Sequence, residues 1–402
     1  MNRRGPREAI GGPATAPNPR SCPAVREPAA ALGRLGRRRA LGFMVAGAAV
    51  VAGCAAASRT QQAGPERGAP AEASRGREAL RPLVPAEPVP PATGPAERSA
   101  GFEPARPVSV FYSPAYVLAA HSFETTRKAR WVADSLERDP LPGLELMAPA
   151  PLTEAEVKTL HAARYVDAVR TGQPRDLAQS QGFTWDPGLW TMVLSSNGGV
   201  VAAAHAALEH GIAGSLSSGL HHAHRAYGRG YCTFNGLALA ARAAVAGGPR
   251  NILILDLDAH CGGGTQELVA DEPSVWILDI AVNGFDAYRP GPRHTLDLVR
   301  SAADYLPTIQ ARLAALPAHA PAFDLCLYNA GMDPHQDCPV GGLRGITTEL
   351  LAAREQLVFD WCREQGVPVA FVLAGGYTGP RLDQAALVGL HRLTLTAAAG
   401  LS

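Results

Sequence analysis

Short runs of consecutive apolar residues alternate, from about residue 108 to the end of the chain, with longer segments whose apolar positions recur at helical spacing. An uninterrupted apolar run such as 252–255 is typical of a strand buried on both faces of a parallel sheet. The alternation of such runs with helical segments predicts a parallel sheet covered by helices on both sides. The predicted strands are 109–112, 252–257, 275–280, 325–329 and 367–373, and the clearest predicted helices are 200–209, 236–245, 295–316 and 347–364.

The first hundred residues lack this alternation and divide into two segments. In residues 1–54, three arginines at 37–39 precede an uncharged run rich in Ala and Gly that ends at Cys54, which is the layout of an export signal. The tetrapeptide at 51–54 also resembles the processing box of bacterial lipoproteins, in which the cysteine is lipidated and anchors the protein to a membrane. Residues 55–107 are rich in Pro, Ala and Gly with almost no aromatic residue, so we predict a disordered linker.

These features predict a leader at 1–54, a linker at 55–107 and one folded domain at 108–402. We expect an exported protein tethered to a membrane through Cys54, with a cytoplasmic protein as the alternative. The 402 residues and the 47% hydrophobic content are ample for a large core in the folded part.

Charge is distributed unevenly between these parts. Residues 1–105 contain 15 Lys and Arg against 8 Asp and Glu, whereas residues 106–402 contain 22 against 28. The negative charge of the folded part argues against direct binding of nucleic acid and mildly favours a cationic substrate. Seven cysteines in so long a chain do not form a disulfide framework.

Polar side chains follow two predicted strands at their carboxyl ends, where ligand sites of parallel sheets lie. Asp256, Asp258 and His260 alternate along the end of the run at 252–257, so an extended backbone would place them on one face. Asp333 follows the run at 325–329. Burying such groups without a cation is costly, and a mixed Asp and His shell suits a catalytic zinc ion with an open position. The sequence therefore predicts a metal site at this edge of the sheet.

Two further features carry candidate chemistry, and the first of them follows a predicted strand. Paired glycines after the run at 367–373 bring Tyr377 to the rim of the same crevice. The adjacent His221 and His222 are candidates for an acid and base pair, because neighbouring imidazoles can divide into one proton acceptor and one charged donor. Other histidines are interpreted as ordinary surface or helix residues: His161, His205, His224 and His319.

These segments, in this order and at these separations, resemble the histone deacetylase family, which includes bacterial acetylpolyamine amidohydrolases and acetoin-utilisation proteins. The resemblance extends from about residue 108 to the C-terminus. It implies an α/β fold of the arginase/deacetylase type, a three-layer α/β/α structure with a largely parallel sheet of about eight strands. It also implies zinc-dependent hydrolysis of an N-acetyl amide, the substrate being acetyl-lysine in a protein or peptide, or an acetylpolyamine.

The resemblance matches three residues to zinc ligands, three to catalytic groups, two to the tunnel that holds the acyl-lysine chain, and two to a potassium site beside the zinc. In that order they are Asp258, His260 and Asp333; His221, His222 and Tyr377; Gly230 and Tyr231; and Asp256 and Asp279. Asp256 also matches the residue that partners the first histidine. In the implied mechanism zinc polarises the acetyl carbonyl and acidifies a water, and His222 takes the proton. His221 is its electrostatic partner, and Tyr377 donates a hydrogen bond to the developing oxyanion.

The chain departs from the family pattern at four places. Tyr231 stands where the family usually has Phe, and Asp279 stands where it has a potassium-binding serine. Gly263 stands where the family usually has the Asp or Asn that orients the second histidine, which puts the tautomer and pKa of His222 in doubt unless another side chain or a water substitutes. The string at 121–125 differs from the usual one, which predicts a variant entrance. One alternative is therefore an acyl-lysine-binding protein that retains zinc but has lost turnover. Another is a dimanganese ureohydrolase like arginase, although Gly262 and the single carboxylate at Asp333 leave too few ligands for two metals.

Overall fold

The computed structural model describes residues 106–119, 126–248 and 250–400, and its strands in that part of the chain form one parallel sheet. The order of the strands across the sheet is β2-β1-β3-β8-β7-β4-β5-β6. This arrangement confirms the predicted α/β class and the number of strands. The strands are β1 Val108–Phe111, β2 Leu144–Met147, β3 Ile212–Ser215, β4 Ile252–Asp256, β5 Val275–Ala281, β6 His294–Leu298, β7 Leu325–Ala330 and β8 Val369–Leu373.

Helices connect these strands, together with one short 3-10 helix at Pro114–Val117. They are α1 Lys128–Arg138, α2 Glu154–Lys158, α3 Ala163–Thr171, α4 Arg175–Ala178, α5 Gly188–His210, α6 Gly236–Ala246, α7 Gly263–Val269, α8 Ala302–His319, α9 Thr348–Gln365 and α10 Gln384–Ala398. Side chains cap several of them; the Asn235 side chain, for example, accepts from the N–H of Ala238 at the start of α6. Within the described residues, no helix combines the length and the apolar character needed to span a membrane.

Two hydrophobic cores lie on opposite faces of the sheet, because successive residues of each strand point in opposite directions. Leu253 and Leu255 of β4 belong to one core, together with apolar residues of α1, α8, α9 and α10. Ile252 and Ile254 belong to the other, together with residues of α3, α5, α6 and α7. The molecule therefore has three layers, helices on either side of a sheet, as predicted.

The register of the central strands brings several polar residues to the same edge. Asp256 at the end of β4 is level with Asn329 of β7 on one side and with Asp279 of β5 on the other. Strands β3, β8, β7 and β4 are adjacent, so the loops that follow them open beside one another. This edge is where a ligand site is expected in a parallel sheet.

Some predicted elements differ from the structure. Residues 294–298 form β6, so the helix predicted from residue 295 begins only at Ala302, and α5 begins twelve residues before the predicted 200. Strands β2 and β3 were not predicted. The first is an exposed edge strand, and the second contains Gly214, which leaves room for the ring of Phe371. The predicted leader, the lipidated Cys54, nearly all of the linker and the variant entrance at 121–125 lie outside the described residues.

Candidate functional site

The predicted metal ligands Asp258, His260 and Asp333 lie together. Their ligand atoms are all within 4.8 Å of one another, and all three residues are buried. Nδ1 of His260 is 3.1 Å from Oδ1 of Asp258 and 3.2 Å from Oδ2 of Asp333. Main-chain N–H groups hold the carboxylates: that of Gly375 donates to Asp258 at 2.8 Å, and that of Ala259 donates to Asp333 at 2.9 Å.

This donor set fits a metal cation. Burial and the neighbouring Asp258 raise the pKa of Asp333, because two carboxylates share a space from which water is excluded. Oδ2 of Asp333 is buried and, apart from the 3.2 Å contact with Nδ1 of His260, accepts no hydrogen bond from the described residues. Gly375 keeps the space open, since a Cβ there would lie 2.1 Å from Oδ2 of Asp333 and 2.5 Å from Oδ2 of Asp258. A bound cation would relieve the repulsion and satisfy this oxygen.

Asp256 does not join this group, which corrects the expectation that alternation along a strand would bring it together with Asp258 and His260. Strand β4 ends at Asp256, and the backbone turns after it. Its Oδ2 instead accepts from Nδ1 of His221 at 2.8 Å, and its Oδ1 accepts from Nδ2 of Asn329, also at 2.8 Å. Asp256 is therefore a hydrogen-bond partner of the first histidine.

Asp279, the other predicted potassium-site residue, is level with Asp256 on the neighbouring strand. Its Oδ2 accepts from the N–H of Gly262 at 2.8 Å, while its buried Oδ1 accepts no hydrogen bond within the described part of the chain. Burial and the charge of Asp256 raise the pKa of Asp279 well above its usual range. Asp256 therefore has both oxygens hydrogen-bonded, whereas Asp279 has one buried oxygen without a hydrogen-bond partner among the described residues.

His221 and His222 lie in the loop after β3, with ring centroids 4.0 Å apart. Burial opposes charge on both rings. For His221, the carboxylates of Asp256 and Asp258 outweigh burial and raise its pKa to about 10. For His222, burial and the positive charge of His221 lower its pKa to about 4. Near neutral pH the first imidazole is therefore charged and the second is neutral.

A carboxylate does contact His222, but it comes from a residue that the sequence did not indicate. Nδ1 of His222 is 3.0 Å from Oδ2 of Asp286, in the loop after β5. The position at which the family usually has this group, Gly263, is directly beside Asp286. No motif or periodicity singles out Asp286, because it lies in an irregular loop.

Two histidines that were interpreted as ordinary surface or helix residues are buried instead. His224 is 8% exposed and contacts both Asp286 and Glu267. His161 is 2% exposed; its Nδ1 donates to the carbonyl of His224 and its Nε2 accepts from the N–H of Asn235. Those two interpretations were wrong. His205 and His319 are exposed on helices, as predicted.

A buried arginine, also missed from the sequence, ties the two strand ends of the metal site together. Arg354 of α9 is fully buried, and its Nη1 donates to the carbonyls of Leu257 and Gly331 at 3.2 and 2.7 Å. Its charge is paired with Glu355. The guanidinium thereby fixes the backbone on which Asp258 and Asp333 are carried.

The site opens to solvent through a mouth of about 500 Å³ that is lined by aromatic and apolar side chains together with uncharged polar ones and the imidazoles of His222 and His260. Tyr231, Phe285 and Val340 are the large exposed residues there, at 37%, 39% and 37% exposure. Gly230 is required at its position, because it has a positive φ and a Cβ would lie 2.5 Å from the ring of His222. The guanidinium of Arg229 lies over the Phe285 ring, 4.7 Å from its centroid. No carboxylate lines the mouth in the part of the chain that the structure describes.

An inner cavity of about 70 Å³ shares Tyr231, His222 and Tyr377 with the mouth and reaches Asp258 of the candidate metal site. Burial, reinforced by Asp333 and Asp258, raises the pKa of Tyr377 well above its usual range, so its hydroxyl remains protonated. The structure thus brings the predicted histidine pair, tyrosine and tunnel residues to one cavity.

Comparisons with known proteins agree with the family resemblance of the sequence. The family model described as the histone deacetylase domain matches residues 121–393. An uncharacterized protein of Picosynechococcus is 35% identical over 228 residues, 56% of this chain and 75% of the relative. Histone deacetylase 2 of Arabidopsis thaliana is 25% identical over 297 residues (68% and 76%), and acetylpolyamine amidohydrolase 2 of Pseudomonas aeruginosa is 27% identical over 173 residues (39% and 48%).

Among solved structures, the HD domain of HDA15 is similar with a TM-score of 0.61 and 20% sequence identity. The similarity covers 74% of this chain and 90% of that chain. At this level of identity the match concerns the fold alone. It confirms the predicted arginase/deacetylase type of the three-layer structure.

Proposed function

The chain belongs to the histone deacetylase family, and we propose that it hydrolyses the amide bond of an N-acetylated primary amine with the help of a zinc ion. Membership of this family makes it a hydrolase of amide bonds. The observation that carries the finer proposal is the convergence of Asp258, His260 and Asp333 at a cavity that His222 and Tyr377 also line.

Asp258, His260 and Asp333 would hold the zinc ion. Two carboxylates and one imidazole that leave a coordination position open are a donor set typical of catalytic zinc. When bound, the ion would supply Lewis acidity, polarising the acetyl carbonyl and lowering the pKa of a water molecule. The buried pair Asp256 and Asp279 would hold a second, structural cation such as potassium.

His222 would take the proton from the water. Its Nδ1–H donates to Asp286, which leaves the lone pair of Nε2 as the proton acceptor, and its low pKa keeps the ring neutral before the reaction. The charged His221 beside it would stabilise negative charge that develops on the substrate. The protonated hydroxyl of Tyr377 would donate a hydrogen bond to the oxyanion.

Acetyl-lysine in a peptide is our proposed substrate, in preference to an acetylpolyamine. The mouth between Tyr231 and Phe285 suits the uncharged methylene chain of a lysine, whose backbone would remain outside. A polyamine carries further ammonium groups along its chain, and these would lie among aromatic rings close to Arg229, with no carboxylate among the described lining residues.

The test is acetate release by the purified, zinc-loaded chain from three substrates: an acetyl-lysine peptide, acetylputrescine and acetylspermidine. We expect release from all acetamides to require zinc and kcat/KM to be highest for the peptide. A preference for a polyamine would overturn the choice of substrate. Tight zinc binding without release from any acetamide would instead support the acyl-lysine-binding alternative.

The two alternatives from the sequence have less support. A binding protein was inferred from the loss of the carboxylate at Gly263, yet Asp286 places a carboxylate on His222. An arginase-like enzyme needs a second cluster of metal ligands, and the described residues contain one cluster of three. Urea release from arginine or agmatine is therefore not expected.

We also propose that the chain is exported and anchored to a membrane through a lipid on Cys54. The support for this is the order of basic, apolar and small residues in 37–54. In a bacterial host, we expect the full chain to sediment with membranes and a Cys54→Ser variant to be released from them. Unprocessed full-length protein in the cytosol would contradict this.

A further inference from the structure

The carboxylate that contacts His222 lies 64 residues away from it in the sequence, in a loop that has no regular structure. We propose that Asp286 is the positioning residue of His222 in this chain, and that Gly263 provides the space that Asp286 occupies. This inference rests on the proposed function, because it concerns the histidine that would take the proton. It explains how the chain can lack a side chain at position 263 and retain an oriented imidazole.

The loop that carries Asp286 is fixed to the segment that carries His260. The N–H groups of Val282 and Asn283 both donate to the carbonyl of Ala259, at 3.0 and 2.8 Å. The N–H of Cys261 donates to the carbonyl of Phe285 at 3.0 Å. Asp286 itself has a φ of 61°, in the left-handed region that few residues other than glycine adopt. The surroundings therefore hold this residue in one place.

Gly263 and Asp286 depend on each other sterically. A Cβ at position 263 would lie 2.3 Å from the carbonyl oxygen of Asp286 and 2.9 Å from its Cγ. The first of these atoms belongs to the backbone, so no change of rotamer can relieve the overlap. A side chain at 263 and the observed position of Asp286 exclude each other.

Both oxygens of Asp286 are used. Oδ2 accepts from His222, whereas Oδ1 lies 3.1 Å from Nε2 of His224 and 3.2 Å from Nη1 of Arg229. His224 in turn contacts Glu267 of α7, whose side chain is partly exposed. Cationic groups on one oxygen leave the other oxygen directed at His222. A carboxylate held in this way fixes the rotation and the tautomer of the imidazole.

Asp286 forms its side-chain hydrogen bonds and ion pairs with His222, His224 and Arg229, and not with the three candidate metal ligands. Its removal should therefore change His222 and leave the metal in place. This separates a positioning role from a structural role in the metal site.

The test uses the full chain loaded with zinc, with three variants: Asp286→Ala, Asp286→Asn and Gly263→Ala. Nitrogen NMR of ¹⁵N-histidine-labelled protein reports which nitrogen of His222 carries the proton, independently of turnover. In the native chain we expect the proton on Nδ1. In Asp286→Ala and Gly263→Ala it should move in part to Nε2, while Asp286→Asn, which retains an acceptor oxygen, should keep the native tautomer.

Kinetics give the second readout. We expect kcat on the acetyl-lysine peptide to fall by about 10- to 100-fold in Asp286→Ala, with KM within about twofold and zinc content unchanged. Two matched controls should behave like the native chain. Asp297→Ala removes a carboxylate of β6 that is paired with Arg312 of α8. Gly284→Ala adds a Cβ in the loop that carries Asp286, at a position where the nearest side chain beyond the neighbouring residues is Leu298, at 3.8 Å.

Native kcat and tautomer in Asp286→Ala would overturn the inference, as would a fall in kcat that is accompanied by loss of zinc. If the native chain releases no acetate from any substrate, the proposed function fails, but the NMR comparison still decides the role of Asp286. If the native chain is active and the His222 tautomer is the same in all variants, the proposed function stands and this inference fails.

Discussion

The candidate metal site and the histidine pair beside it are built on different kinds of backbone. Asp258 and Asp333 follow two adjacent strands, and main-chain N–H groups and a buried arginine hold those strand ends in place. His222 and its partner Asp286 both lie in loops. Positions on adjacent strands are set by the register of the sheet, so a ligand there cannot easily be supplied from elsewhere. A hydrogen-bond partner for a loop histidine can come from any loop that reaches it.

The largest expected effect comes from the candidate metal site. Asp258→Asn should abolish tight zinc binding and lower acetate release by about 10³-fold or more, because metal catalysis supplies several kcal/mol of transition-state stabilisation. Metal analysis and the acetyl-lysine peptide assay measure this. Asp297→Asn, on the edge strand, is the control. A variant that binds zinc and turns over normally would remove Asp258 from the site.

The second expected effect concerns the hydroxyl of Tyr377, which lines the cavity beside both the candidate metal ligands and His222. Tyr377→Phe should lower kcat by about 10²- to 10³-fold if the hydroxyl donates to the oxyanion, with little change in zinc content. Steady-state kinetics measure the change, and the zinc content of the same sample is the control. Unchanged turnover would take the tyrosine out of the mechanism.

His161, whose ring bonds to the loop that carries the histidine pair, should make the stability of the protein depend on pH. Burial lowers the pKa of His161 to about 4, so the native protein keeps this ring neutral while the unfolded chain takes up a proton below about pH 6.5. The native state should therefore lose up to about 3 kcal/mol of stability from this residue as the pH falls from 6.5 to 4. Above pH 6.5 it contributes no pH dependence.

Urea unfolding at pH 7 and at pH 4.5 measures this effect. The decrease in free energy of unfolding should be smaller in His161→Gln than in the native chain. His205→Gln, at an exposed position on α5, should keep the native decrease. Equal decreases in all three proteins would show that His161 is not held neutral by the fold.

The smallest expected effect is at the rim. Tyr231 stands where the family usually has Phe, and its ring packs on Phe183 with centroids 5.2 Å apart. Tyr231→Phe keeps that ring, so kcat/KM on the peptide should stay within about threefold, whereas Tyr231→Ala should raise KM through loss of apolar contact with the lysine chain. A large effect of Tyr231→Phe would indicate that its hydroxyl contacts the substrate.

The same contrast explains what the sequence could predict. Strands β4, β5, β7 and β8 are largely apolar because both of their faces are buried, and the polar residues after β4 and β7 indicated the candidate metal ligands. Strand β6 alternates in a way that also fits the start of a helix, and β2 is exposed at the sheet edge. These strands are stabilised by pairing with neighbours, which no local pattern reveals.

Asp286, Phe285 and His224 were missed for a related reason. Each lies in a segment without periodicity, and its role depends on a partner distant in the sequence. Gly263 gave the one available signal: an absent carboxylate beside an intact histidine pair indicates either a substitute for it or a loss of turnover. The sequence could not say where that substitute would be, because loop conformation depends on tertiary contacts.

The mutual exclusion between Gly263 and Asp286 also limits how the site can change. Restoring an acidic residue at 263 would force the 282–286 loop away, and removing Asp286 alone would leave His222 without a carboxylate. Because the overlap at 263 is with the backbone carbonyl of residue 286, an exchange of one arrangement for the other requires the loop to move as well as both side chains to change. The two positions form an epistatic pair, so the effects of their substitutions should be strongly non-additive. An alignment that compares single positions would record the loss of a carboxylate at 263, although another loop supplies the same chemical group.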